Sequence, residues 1–232
     1  MFTKYSKLIG TSKEDGNIWR TFTDLLSTIL LFILLFLVYS NIIKQGEIDA
    51  TKHRVEQIIG LRQSIIEDMR NTFKSAGLDI DIDKKTGDII FSSDVLFEFN
   101  KSDIKPEFKD NLNKFIPQYV KVLLSPKYSD SISEIVIEGH TDDVGEYNYN
   151  MDLSQKRANS IVNYILSSDF KVIDDSKKQS LRSLITANGK SNSRLIKNAD
   201  GTVNGDKSRR VLFKFRLKDE ESIKELDEIL KE

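Results

Sequence analysis

From Leu25 to Ile43 the chain carries no charged residue, and its centre, ILLFILLFLV from Ile29 to Val38, is apolar at every position. A helix of this composition has no polar face to turn to water, so lipid is its natural solvent. Counted from Phe22 to Ile43 at ~1.5 Å per residue it is roughly 33 Å long, enough for a hydrocarbon core of ~30 Å. One transmembrane helix is therefore expected over 22–43. A cleaved signal peptide fits less well, because its apolar region would be shorter and VYSNII at the exit lacks the small-residue cleavage pattern. Lys4, Lys7, Lys13 and Arg20 precede the span, whereas after it Lys44 is soon followed by Glu47 and Asp49. Cations mark the cytoplasmic side, so residues 1–21 are expected to be a cytoplasmic tail, with everything past about residue 44 outside. Trp19 and Tyr39 suit the two interfaces.

The remaining composition excludes several classes. Lys and Arg number 35 against 36 Asp and Glu, a formal charge of -1, so there is no cationic excess to neutralise a nucleic-acid backbone. The absence of cysteine removes disulfides, thiolate metal sites, a thiol nucleophile and a lipid-modified N-terminal cysteine. His140, Asp142 and Asp143 are close in sequence, but the chain has only 2 histidines and offers no suitably spaced further ligand. No nucleophile motif, phosphate-binding loop or paired-carboxylate arrangement stands out, so neither an enzyme nor a bound cofactor is expected.

Asp24 is the one ionisable residue at the edge of the span, among Thr21, Thr23, Ser27 and Thr28. A carboxylate there can cap the helix N-terminus, favoured by free backbone N–H groups and the dipole. Alternatively it lies within the membrane against a partner and takes up and releases an ion. The stretch WRTFTDLLSTILLFILLFLV resembles the transmembrane helix of MotB-like stator subunits, where a Trp, a Phe and an Asp precede a long apolar run. Leu26 departs from the Met frequent in flagellar members. The resemblance implies that Asp24 is the ion-carrying carboxylate, for H+ or Na+.

Beyond the span, a helical connector is expected over 44–79. Ile48, Val55, Ile59, Ile66, Met69 and Phe73 follow a 3-4 spacing, with Lys52 and Arg62 at the two intervening positions. Such a stripe fits either the seam of a parallel homodimer or a helix packed on its own domain.

The segment 80–217 alternates strand and helix signals. LDIDID, KKTG and DIIFSS read as a hairpin, and strand signals continue to Phe99. Pro106 opens a helix whose apolar face is Phe108, Leu112, Phe115, Ile116, Tyr119 and Leu123, and Pro117 should kink it. SEIVIE, LITA and the alternation of Val211, Phe213, Phe215 and Leu217 read as strands, and a helix is expected from about Leu153 to Leu166. The class is α/β, or α+β if the pairing is mixed, and a last helix is expected over 218–232.

Three blocks here resemble the OmpA-like peptidoglycan-binding domain, an α+β sandwich: DVLFEFNKSDIKPE, IEGHTDDVGEYNYNMDLSQKRANSIVNYI and DKSRRVLFKF. Ser208 stands where Asn is usual, and the loop KSNSRLIKNADGTVNGDKS is longer than a minimal turn. The family's ligand is the peptide stem of peptidoglycan, usually its diaminopimelate, whose end carries an ammonium and a carboxylate on one carbon. The resemblance assigns Asp142 to the ammonium and Arg157 to the carboxylate, which a guanidinium can grip with two parallel bonds. Phe99, Asn100, Thr141 and Leu153 fall at or beside family pocket positions, and Arg209 or Arg210 could line the rim. If Arg157 lies in the first turn of its helix, as the expected start implies, a bound carboxylate would also be welcomed by the dipole. A surface arginine, or an Asp142–Arg157 pair without ligand, is the alternative.

Two functions share this layout. In one, a homodimer forms the wall-anchored rod of an ion-driven inner-membrane motor, within a ring of MotA/ZorA-like multi-pass subunits and with its C-terminal domain in the periplasm. In the other, the chain is a passive tether between membrane and wall. The compact connector and the ending DGTVNGDKSRRVLFKFRL resemble the ZorB subunits of Zorya anti-phage systems more than flagellar stators.

Overall fold

A computed structural model describes residues 13–218 and 220, with side chains from residue 19 onward. The expected C-terminal helix lies outside the described residues except at 218 and 220. The chain divides into two compact units, Met1–Arg54 and Val55–Glu232.

Helix α1 (Lys13–Ser75) runs through the expected span and connector without a break. Its apolar window has a mean hydropathy of 2.4 and is wholly uncovered by protein. The hydroxyls near Asp24 turn back onto their own helix: Thr23 Oγ1 donates to Trp19 O, Ser27 Oγ to Thr23 O and Thr28 Oγ1 to Leu25 O. That arrangement leaves these hydroxyls satisfied in a solvent that offers no partners. Because α1 starts at Lys13, Asp24 is well inside the helix. No free N–H groups await it there, and the capping role is excluded.

In the second unit a four-stranded sheet has the order β1-β4-β2-β3, from β1 (Ile89–Ser92), β2 (Ile132–His140), β3 (Ile185–Gly189) and β4 (Arg210–Leu217). β4 is antiparallel to both β1 and β2, while β2 and β3 are parallel, so the pairing is mixed as an α+β arrangement requires. The expected hairpin is reduced to a single Ile82–Ile89 bridge around an Asp83 turn. Strand structure also stops early. Ser92 caps a short helix, α2 (Ser93–Leu96), by accepting the Asp94 N–H.

Helices α3 (Pro106–Leu123) and α4 (Tyr147–Leu166) supply much of the core, with Pro117 inside α3, and α5 (Asp175–Arg182) precedes β3. Phe115 of α3 packs edge-on to Phe213 of β4, ring centroids 5.1 Å apart, and lies 5.6 Å from Phe73 of α1. Ile66, Met69 and Phe73 are buried in this core with Ile65. They are therefore not available to a dimer seam, because withdrawing each would cost about 1.5–3 kcal/mol of apolar burial. The earlier part of the stripe stays outside this core, with Ile59 56% exposed and Ile48 and Val55 half-buried.

Two glycines set how closely α4 lies on the sheet. Gly139 of β2 and Gly189 of β3 are register partners. A Cβ on Gly139 would fall 2.4 Å from Ser154 O, and one on Gly189 2.6 Å from Gln155 N. Helix backbone thus occupies the space a side chain would need. Gln155 uses the proximity, its Nε2 donating to Ala187 O at 2.9 Å and its Oε1 accepting the Gly189 N–H at 2.7 Å.

Candidate functional site

The close approach of α4 sets the mouth of the domain, where β2 ends at His140. Thr141 and Asp142 follow. The Thr141 N–H donates to Ser191 O at 3.0 Å, and its side chain is buried with Oγ1 lacking a hydrogen-bond partner. His140 turns inward as well, its Nε2 3.0 Å from Glu138 Oε1.

Asp142 is fixed from two sides. Oδ1 accepts the Val144 N–H at 3.2 Å, and Oδ2 accepts from Arg209 Nη1 at 2.6 Å. Arg209 lies between a short helix, α6 (Gly205–Ser208), and β4. Its Nη2 also donates to Asp94 Oδ2 at 3.1 Å and to Asp206 Oδ1 at 2.6 Å. Hydrogen bonds to Asp94 and then Asp142 raise its pKa above the ordinary arginine value. One guanidinium therefore gathers three carboxylates, leaving a local excess of negative charge suited to an ammonium.

Arg157 is 5% exposed. Its Nε donates to Lys101 O at 3.0 Å and its Nη2 points to Glu98 O at 3.5 Å, with the guanidinium 5.2 Å from the Phe97 ring centroid. Burial pushes its pKa down, opposed by the charges of Asp94, Tyr149 and Asp142 among others. An arginine has enough reserve to stay charged. α4 begins at Tyr147, so Arg157 sits nearly three turns into the helix and the expected help from the dipole is absent. No ion pair joins it to Asp142, whose partner is Arg209.

Arg157 organises the other expected residues. By holding the carbonyls of Glu98 and Lys101 it pins the loop that carries Phe99 and Asn100. Phe99 is 85% exposed, and Asn100 has a left-handed φ of 54°. Leu153 is half-buried one turn before Arg157 on the same helix face. Arg210 is buried and donates to Ser208 O and Arg194 O, so it lines no rim. Ser208 Oγ accepts the Ile196 N–H at 2.9 Å, tying the middle of the long loop to its end at α6. Sequence spacing did not reveal Asp94, Asp206 or the bridging role of Arg209. Asp24 belongs to the other unit of the chain.

Residues 96–209 match the OmpA family. Over 225 residues the chain is 28% identical to the Zorya protein ZorB of Escherichia coli, covering 90% of this chain and 91% of that protein. It is 41% identical over 83 residues to outer membrane protein A of Salmonella typhi, spanning 36% of this chain but only 22% of that relative. Among solved structures, a MotB-like protein from Desulfovibrio vulgaris matches with a TM-score of 0.48 and 17% identity, over 69% of this chain and 94% of that one. The chain is thus similar along nine-tenths of its length to ZorB, with the OmpA-family match confined to residues 96–209, behind one N-terminal apolar helix.

Proposed function

We propose that this chain is the wall-anchored subunit of an ion-driven inner-membrane motor, with its N-terminus cytoplasmic and its OmpA-family domain on the peptidoglycan peptide stem. The observation that carries the wall-binding half is the separation of Asp142 from Arg157. Neither neutralises the other, so each can meet one end of a zwitterion, the ammonium at the carboxylate cluster and the carboxylate at the remaining guanidinium donors. The motor half is supported by similarity to ZorB along nine-tenths of the chain, and by a carboxylate, Asp24, set inside an uncovered apolar helix. On this reading two copies work with a MotA/ZorA-like multi-pass ring, and Asp24 carries H+ or Na+ in an anti-phage machine.

The test is co-sedimentation of the detergent-solubilised chain with purified sacculi. Asp142→Asn removes the charge that meets the ammonium, and Arg157→Lys keeps a cation but loses the fork. Both should lower binding at least tenfold. Unchanged sedimentation of either folded variant would reject the assignment.

A further inference from the structure

A groove of about 620 Å³ lies between residues 55–63 of α1, the turn at 85–88, the start of the long loop, and strands β2 and β4. None of the expected ligand-binding residues lines it. Its apolar lining comes from Val55, Ile58 and Ile59 of α1 and Phe215 of β4. Its charged lining is mostly cationic: Arg62, Lys85, Lys190, Arg194, Lys214 and Arg216 surround it, and two acids of the sheet region, Asp88 and Glu138, are already committed. Glu138 lies 3.4 Å from Arg194 and 3.5 Å from Lys214 and holds His140, while Asp88 is 3.7 Å from Lys214. Lys85 and Lys190 have no salt bridge among the described residues, so the groove keeps a surplus of positive charge. Its α1 wall is fastened in place, with Gln63 Nε2 donating to Lys84 O at 3.1 Å.

Glu220, three residues past β4, shows what the groove accepts. Arg62 donates to it through Nη2 and to Thr86 O through Nη1, with the guanidinium 4.7 Å from the Phe215 ring centroid. The Arg62 and Glu220 side chains are only 17% and 18% exposed, so this acid is seated in the groove rather than on open surface. The sequence around it repeats the same chemistry. Of the 14 residues 219–232, seven are Asp or Glu and two are Lys. Ile223, Leu226 and Leu230 follow a 3-4 spacing, so the helix expected there has one apolar stripe flanked by acids. As a helix the segment after Glu220 is roughly 18 Å long, against roughly 10 Å of α1 from Val55 to Arg62, so it can cover the groove without a linker.

We propose that this groove is the docking site of the chain's own C-terminal segment, 219–232, with Ile223, Leu226 and Leu230 against Val55, Ile58 and Ile59 and the acids facing the surplus cations. Charge decides the occupant. The α1 stripe of a second copy would bring Lys52 and Arg62 to a surface that is already cationic, and like charges brought together oppose association. Exposed ion pairs are individually weak, so charge selects and orients the segment while apolar contact holds it. Docked there, the segment ties the end of β4 to α1 and closes Val55 and Ile59 to any other partner.

The experiment replaces Ile59 by the photoreactive p-benzoylphenylalanine in the full chain in detergent, with isotopically light and heavy copies mixed in equal amounts. After irradiation and proteolysis, mass spectrometry should find position 59 joined to a peptide from 221–232 of the same copy, all light or all heavy. Lys85→Glu with Lys190→Glu should lower the yield of that adduct severalfold. Adding Glu225→Lys and Glu228→Lys to this variant should restore most of it, which a loss through misfolding would not allow. Adducts to a second copy, to another part of the same domain or to nothing would overturn the proposal. So would a yield that ignores the lysine substitutions, or one that stays low after the charges are exchanged.

Discussion

Arg209 Nη1 donates to Asp142 Oδ2 at 2.6 Å, so the carboxylate that would receive a ligand's ammonium already holds an internal cation. The same guanidinium is shared with Asp94 and Asp206, which can keep it in place while Asp142 turns part of its charge to a ligand. Replacing it should harm both stability and recognition. Arg209→Gln leaves three acids facing one another, and about 1–3 kcal/mol of stability should be lost, as when charged hydrogen bonds lose a partner. Chemical denaturation of the full chain in detergent, alongside sacculus sedimentation, reads both effects. An unshifted midpoint would show that the cluster does not need its cation.

A second prediction concerns acid. Burial pushes the Glu138 pKa up, but the His140 hydrogen bond and the charges of Lys214 and Arg194 prevail and bring it to about 2. Burial holds the pKa of His140 below its ordinary 6.5. Both folded values lie below the unfolded ones, so both residues contribute stability at neutral pH that is lost on acidification. The loss should begin as pH falls through about 6.5 with His140 and continue from about 4.5 to about 2 with Glu138. Glu138→Gln should remove the lower step. A melting temperature that falls just as steeply below pH 4.5 in that variant would rule out this source.

Gly139→Ala should be costly, because its methyl would meet Ser154 O at 2.4 Å and backbone cannot step aside. A loss of about 1–3 kcal/mol or more is expected, with weaker wall binding as α4 lifts from the sheet. Gly60→Ala is the control. Nothing lies within 4 Å of its Cβ, and alanine in a helix should gain about 0.5–1 kcal/mol. Comparable losses at both positions would contradict the close-approach account.

Whether and where two copies meet can be mapped by single cysteines, since the chain has none of its own. If the earlier part of the stripe forms a homodimer seam, Ile48, Val55 and Ile59 should crosslink between copies in membranes. Ile66, Met69 and Phe73 should not, being buried in their own domain. Equal crosslinking along the whole stripe would mean that the domain core opens in the membrane.

Asp24→Asn separates a motor from a tether. The amide keeps shape and hydrogen bonding but cannot exchange a proton or hold a cation by charge. Expression, insertion, partner co-purification and wall binding should persist while phage protection disappears. Full protection with intact assembly would leave only the tether.

The membrane span and the sheet were readable because their signals are local: an uncharged apolar run, and strands whose residues alternate. The start of α4 was not. Its first turns, YNYNMD, bury Asn150 rather than an apolar residue, and Ser154 is buried one turn later, so hydrophobic periodicity is silent until Ala158 and Ile161. The stripe from Ile48 to Phe73 announced a helix with one apolar side but not what covers it. A repeat specifies a face, and a domain core satisfies it as well as a second copy. The bridging role of Arg209 escaped for another reason. Asp94, Asp142 and Asp206 are far apart in the chain, and only the mixed pairing of β1, β4 and β2 brings their segments to one end of the sheet.

Gln155 has a consequence for how these molecules can and cannot associate. β3 is the last strand of its sheet, and the side-chain amide occupies its outward-facing Ala187 carbonyl and Gly189 N–H as a neighbouring strand would. With two of its outward groups already paired, that border is a weaker template for strand addition by a neighbour, native or unfolded. Copies meeting on this side recognise one another mainly through side chains, and Gln155→Ala, by baring the border, should show itself as aggregation rather than as lost ligand binding.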